Sequence, residues 1–74
     1  MPKYIIFVVD LKNKKSISES VICWGWKDAI LEVLNHINAN DELIQIAKSG
    51  ESIENIKDRF IEKEFILDVV EVFR

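Results

Sequence analysis

The amino-acid sequence predicts a small α+β domain, in which an antiparallel-rich sheet of three strands packs against two or three helices. Three observations predict this class. Apolar runs rich in β-branched residues occur near both ends of the chain, a polar turn divides the first run from the second, and the hydrophobic period between them changes from two to 3.6. The predicted order is strand, strand, helix, a short helix or strand, helix, strand.

The first run, YIIFVVDL, extends from Tyr4 to Leu11 and is apolar at odd and even positions alike. Because successive side chains of a strand point to opposite faces, such a run is typical of a strand covered on both faces. We therefore expect it to be the central strand of the sheet.

The second run, ISESVICW, follows the polar turn DLKNKKS and alternates more clearly. Serines occupy one side, whereas Ile17, Val21 and Cys23 occupy the other, which Glu19 interrupts. This pattern predicts a half-exposed edge strand that pairs with the first strand through a hairpin centred on Asn13.

The first helix is predicted to begin at Trp26, with Gly25 as a flexible joint after Trp24, the last residue of the strand. Its apolar stripe consists of Trp26, Ala29, Ile30, Val33, Leu34 and Ile37. We expect Trp26 to be buried in the core and Trp24 to be partly exposed beside the hairpin. Leu31 lies off the stripe and is expected to be exposed.

The second half of the chain has clear helix boundaries and one ambiguous segment. Asn38 and Asn40 can end the first helix and cap the next, and Ser52 can cap another helix that runs to about Lys63. Residues 41–48 fit a short helix that ends at Gly50 better than a strand, although a strand there would give the sheet a fourth member. The last strand is predicted over 65–73.

The composition indicates one globular domain spanning residues 1–74, with 49% hydrophobic and 31% charged residues and a net charge of −3. Residues 1–27 carry five lysines against two acids, a balance of +3, whereas residues 28–74 carry five bases against eleven acids, a balance of −6. A single cysteine and an N-terminal apolar run of only six residues lead us to expect a soluble, cytoplasmic protein.

The first and last strands hold more apolar surface than two or three helices on one face of a sheet can cover. The remainder must meet a helix on the second face or another copy of the protein. We therefore expect self-association, most simply as a homodimer.

The sequence contains no glycine-rich phosphate loop and none of the common metal or hydrolase motifs, so we expect no catalytic residue, cofactor or metal site. Cys23 and His36 form the one pair suited to thiolate chemistry. A helical ion pair of His36 with Glu32, four residues earlier, accounts for the histidine without catalysis, and Cys23 is expected to be a buried structural residue.

Glu54, Asp58 and Glu62 recur every four residues on the outer side of the last helix, and we call them the acidic ridge. Lys57 and Arg59 are expected to offset part of their mutual repulsion. The ridge suggests a non-enzymatic protein-interaction module that binds a protein partner through an acidic helix face or an exposed sheet edge. The predicted protein-binding residues are Glu54, Asp58, Glu62, Trp24 and Leu31.

Two alternatives remain open. A nucleic-acid-binding accessory protein would use Lys12, Lys14 and Lys15 of the hairpin to contact phosphate, with Trp24 or Tyr4 stacking on a base. A phage- or mobile-element-type inhibitor would use the acidic surface to occupy a basic site on a host protein.

Residues 42–60 also resemble a helix-turn-helix motif, with Gly50 in the turn. However, Glu51 stands where that motif is usually apolar, and Glu54 and Asp58 would face the phosphates. Nucleic acid is therefore not the expected partner, and no contact with a membrane is expected.

Overall fold

The computed structural model describes residues 1–72 and confirms the predicted α+β class. Its elements, in chain order, are β1 (Lys3–Asp10), β2 (Lys15–Ile22), α1 (Trp26–His36), α2 (Asp41–Ala47), α3 (Ile53–Glu62) and β3 (Phe65–Val72). The three strands form one antiparallel sheet in the order β2-β1-β3. Residues 41–47 form a helix, so the alternative with a fourth strand is wrong. Phe73, the predicted end of the last strand, lies outside the described residues.

The hairpin between β1 and β2 is closed by Asp10. Its carboxylate accepts hydrogen bonds from the backbone N–H groups of Lys12 and Asn13, each at 3.1 Å, and from the Asn13 side chain at 2.8 Å. These bonds, above all the one from the Asn13 side chain, lower the pKa of Asp10 because they favour its charged form. The predicted turn around Asn13 is confirmed, with Lys14 in the left-handed region at φ 57°.

The predicted helix boundaries are also confirmed. The side chain of Asn40 accepts a hydrogen bond from the Leu43 N–H at 3.3 Å, and that of Ser52 accepts one from the Asn55 N–H at 3.2 Å. Both satisfy donors that the first turn of a helix leaves without a partner. Gly50, at φ 80°, follows α2 in the left-handed conformation that glycine adopts without steric cost.

A single core lies between one face of the sheet and the three helices. Tyr4, Ile6 and Val8 of β1 point into it, and the other buried side chains, all apolar, are Val21, Cys23, Ala29, Ile30, Val33, Leu34, Leu43, Ile46, Ala47, Ile56, Phe60 and Leu67. Within residues 1–72 no polar or charged residue is buried. Burial of apolar surface is therefore the main stabilising contribution.

The corner between β2 and α1 differs in detail from the prediction. β2 ends at Ile22 rather than Trp24, and Trp26 begins α1 but is half-buried, with the Lys27 ammonium 5.7 Å from its ring centroid. Gly25 has an extended backbone, and a Cβ there would meet no atom within 4 Å, so the corner does not require glycine. The expected exposure of Leu31 is wrong as well, since its side chain is half-buried against the core.

Neighbouring residues of α3 provide a direct test of the core. Phe60 is fully buried and fills the space between α3 and the sheet, whereas Ile61 is 57% exposed. We expect Phe60→Ala to lower the free energy of unfolding by about 3–5 kcal/mol, and Ile61→Ala to change it by less than about 1 kcal/mol. Urea denaturation followed by circular dichroism measures both, and equal losses would show that the core is placed wrongly.

Candidate interaction surfaces

One face of the sheet has no helix over it in residues 1–72, and we call it the open face. Phe7 lies at its centre, because β1 is the middle strand and Phe7 pairs with Ser18 on one side and Asp68 on the other. The apolar residues of this face are Ile5, Phe7, Val9, Ile22, Ile66, Val70 and Val72. The central position predicted for β1 is therefore confirmed, but only its even-numbered side chains are covered by the helices.

The open face is mainly apolar along β1 and β3, apart from Asp68 beside Phe7, and mainly polar along β2, apart from Ile22. Along β1 and β3, Phe7, Ile66 and Val70 remain 38%, 43% and 44% exposed. Along β2 the same face carries Ser16, Ser18 and Ser20 instead. Apolar side chains grouped in this way, with polar groups at one side, are typical of a surface that meets another molecule.

The edge formed by β3 is closed at its centre by its own side chains. The Leu11 N–H donates to the Glu64 carbonyl at 3.0 Å, and the alternation of the ladder then directs the Val69 N–H away from β1. Asp68 Oδ1 accepts a hydrogen bond from this N–H at 2.9 Å and lies 3.2 Å from Lys57 Nζ. An incoming strand would have to displace both contacts.

The opposite edge, which we call the β2 edge, has no such protection. The Cys23 N–H donates to the Pro2 carbonyl at 3.2 Å, which extends the β1–β2 ladder by one pair. By the same alternation the peptide groups of Ser16, Ser18, Ser20 and Ile22 face outward. No hydrogen bond between described residues uses the outward N–H groups of these four residues.

The acidic ridge lies on the exposed side of α3, as the sequence predicts, and the two neighbouring bases of α3 form their ion pairs with other residues. Lys57 pairs with Asp68 at 3.2 Å, and Arg59 forms an ion pair with Glu51. None of the ion pairs between residues 1–72 includes Glu54, Asp58 or Glu62. The three carboxylates therefore keep their negative charge facing solvent.

Cys23 and His36 have separate structural partners. The Cys23 thiol is 9% exposed and donates to the Gly25 carbonyl at 3.2 Å. His36 Nδ1 lies 2.9 Å from a carboxylate oxygen of Glu19 on β2, so the pairing predicted with Glu32 is wrong. The hydrogen bond and charge of Glu19 raise the pKa of His36, and Glu32 adds a smaller electrostatic contribution.

The basic hairpin and the aromatic residues proposed to stack on bases do not form one surface. Lys12, Lys14 and Lys15 are exposed, but Tyr4 is buried in the core. Trp24 is 76% exposed, and it follows the end of β2 that is about 23 Å from the hairpin, given the usual rise of a strand. Its predicted place beside the hairpin is therefore wrong, whereas its exposure is confirmed.

A solvent-open cleft of about 370 Å³ lies between the hairpin and the connection from α1 to α2. Val8, Leu43 and Phe65 line its apolar side, and Asp10 and Lys15 are the ionisable residues that line it. The carboxylate of Asp10 already holds the turn. Among residues 1–72, no three His, Cys, Asp or Glu side chains are grouped so that they could hold a metal ion.

No protein-family model, curated protein or solved structure matches this chain. None of the helices α1, α2 and α3 has the length and apolar character needed to cross a membrane. The surfaces described above are therefore the basis for a functional proposal.

The Glu19–His36 contact can be tested by titration. We expect the pKa of His36 to lie above its ordinary value of about 6.5. It should fall strongly in Glu19→Gln, which removes the main cause of the shift, and only slightly in the control Glu32→Gln. NMR titration of the imidazole protons measures these values, and equal falls in the two variants would contradict Glu19 as the partner.

The same shift fixes the pH range in which this contact stabilises the fold. Because the pKa of His36 is raised in the folded state, the stabilisation is fully present below its ordinary pKa and is lost as the pH rises through the folded-state value. The free energy of unfolding of the wild type should therefore lose this contribution at alkaline pH, and Glu19→Gln should show a weaker pH dependence.

Proposed function

We propose that this chain is a small, non-enzymatic protein-interaction module that self-associates through the open face and offers the acidic ridge to another protein. The observation that carries the proposal is the apolar half of the open face, which the three helices leave in contact with water. Burying apolar surface stabilises an association by roughly 25 cal/mol per Å² before the costs of association. The free thiol of Cys23 suits a reducing compartment, and we place the module in the cytoplasm.

The dimensions of the open face suit a second copy of the chain. Three strands of eight residues, at spacings of about 4.8 Å between strands and 3.3 Å per residue, form a face of about 14 by 26 Å. Two such faces packed together would cover roughly 700 Å² in total, which is the size of a weak, transient interface. A symmetric dimer uses the same patch on both copies, so one apolar face suffices.

The chemistry of the open face also fits a two-fold contact. Phe7, the aromatic residue at its centre, would become the most deeply buried side chain of the interface, which is where binding energy is usually concentrated. The serines of β2 would form a polar margin. The charge of Asp68 is balanced by Lys57 within the same protomer, so it needs no partner from the second copy.

A lysine substitution on the open face tests the dimer. We expect the wild type to dimerise with a dissociation constant in the micromolar range, and Val70→Lys to be monomeric because it would bury an unpaired charge in the interface. Light scattering coupled to size-exclusion chromatography, over about 1–500 µM protein, measures the mass.

The matched control is Ile61→Lys, which replaces another exposed apolar residue, on the helical side of the molecule. This control should dimerise like the wild type. A monomeric wild type at the highest concentration would overturn the self-association proposal, and dissociation of the control would mean that the contact lies elsewhere.

The acidic ridge favours a basic protein surface as the second contact. Its three carboxylates follow each other along two turns of α3 with no ion pair to any described residue, so a basic partner would gain attraction without first displacing an internal one. An inhibitor that occupies a basic site of another protein would use the ridge in this way.

Neutralising the ridge should remove this contact and leave the fold intact. We expect the triple variant Glu54→Gln, Asp58→Asn, Glu62→Gln to lose salt-sensitive capture of a basic partner from a cytosolic extract, while its thermal unfolding changes little.

The control variant Asp28→Asn, Glu32→Gln, Asp41→Asn removes the same number of negative charges from exposed positions on other helices. It should still capture the partner. If both variants lose capture equally, the overall charge and not the ridge determines binding.

A further inference from the structure

We propose that the β2 edge binds an extended segment of another protein as a fourth strand, and that this segment carries a basic residue opposite Glu19. The inference rests on the proposed function, since both treat the chain as a binding module, and it deepens that function by naming the edge and the chemistry of the bound strand. A dimer formed by two open faces would leave the β2 edge free.

The backbone of β2 provides the first part of the argument. Its outward peptide groups belong to Ser16, Ser18, Ser20 and Ile22, whose N–H groups have no internal hydrogen-bond partner among the described residues. The three serines are short enough to leave these groups accessible. In contrast, the β3 edge is occupied by Asp68 and Lys57. Strand addition supplies main-chain hydrogen bonds to such a free edge, and alternate side chains supply the specificity.

The side chains of β2 that face the helices define that specificity. They are, in order, Lys15, Ile17, Glu19 and Val21. A residue directly opposite each one on an added strand would lie within about 4.5–5.5 Å between Cβ atoms. The complementary strand therefore has apolar residues opposite Ile17 and Val21 and an acidic residue opposite Lys15. It has a basic residue opposite Glu19, whose carboxylate would bind it together with His36. Small polar residues suit the positions opposite the serines.

The same pattern argues against β2 of a second copy as the occupant. The antiparallel register that pairs residues 16–22 of two copies places Glu19 directly opposite Glu19 of the other copy, and like charges in that position are destabilising. Sliding the copies until Lys15 meets Glu19 leaves roughly half of the ladder hydrogen bonds. In the intermediate register, which pairs residues 15–21 of the two copies, Glu19 lies opposite Ile17. The inward-pointing charge of Glu19 therefore disfavours pairing with a second copy and favours a strand of complementary sequence.

Two peptides of identical composition test the proposal. The first, Thr-Val-Thr-Lys-Thr-Val-Thr-Glu, places Lys opposite Glu19 and Glu opposite Lys15 when it runs antiparallel to β2. The second, Thr-Val-Thr-Glu-Thr-Val-Thr-Lys, exchanges these two charges. We expect the first to bind about tenfold more tightly, because two cross-strand attractions replace two repulsions.

Binding is measured by NMR titration of the isotope-labelled full chain, with hydrogen exchange of individual amides. The first peptide should shift and protect the N–H groups of Ser16, Ser18 and Ser20. The same peptide N-methylated at its fifth residue, which lies opposite Ser18, should bind at least tenfold more weakly, because it loses a donor to the Ser18 carbonyl. Ser18→Pro should weaken binding similarly, since it removes an outward donor and no bond to β1.

Equal affinity for the two peptides, or shifts confined to residues outside β2, would overturn the proposal. Protection of the same serine amides in concentrated protein without peptide would assign the edge to a second copy and would also overturn it. The mass of the protein by light scattering reports on the open face independently. The edge proposal and the dimer can therefore fail separately.

Discussion

The structure depends on the pairing of β1 with both of its neighbours. Because side chains alternate along a strand, this pairing sends Tyr4, Ile6 and Val8 to one side and Ile5, Phe7 and Val9 to the other. The three helices suffice for the first side, where they enclose a core without polar residues. Within residues 1–72 no helix covers the second side, so the central strand that organises the core also creates the apolar surface outside it.

The two edge strands of the sheet each carry an acidic residue that forms an ion pair with a helix. Glu19 of β2 lies on the face that the helices cover, where it pairs with His36. Asp68 of β3 lies on the open face, where it pairs with Lys57. Both acids interrupt otherwise favourable strand patterns. The two strands differ in their outward N–H groups. Asp68 accepts a hydrogen bond from the outward N–H of Val69, whereas the outward N–H groups of the serines beside Glu19 have no partner among the described residues. The two edges of one small sheet are therefore chemically distinct.

The sequence predicted the parts of this structure that follow from local patterns. The hairpin turn, the helix caps at Asn40 and Ser52 and the α2 helix all depend on residues a few positions apart, and the structure contains them. The partner of His36 was predicted wrongly, and the Lys57–Asp68 pair was missed, because these contacts join residues that only the fold brings together. The apolar run of β1 was correctly assigned to the central strand, but its composition does not show that the helices cover only one of its two faces. The open β2 edge could be inferred only from the ladder, because it depends on which peptide groups face outward.

The order of the strands has a consequence for synthesis of the chain. β1 is made early, but one of its two partners, β3, begins at Phe65, so on the ribosome this partner emerges last among the described elements. At translation rates of about 5–20 residues per second, the hairpin of β1 and β2 waits several seconds for the third strand. During that interval β1 itself is an unprotected edge of high β propensity. Pairing of the first strand with the last thus lengthens the time for which a strand edge of the nascent chain stays exposed.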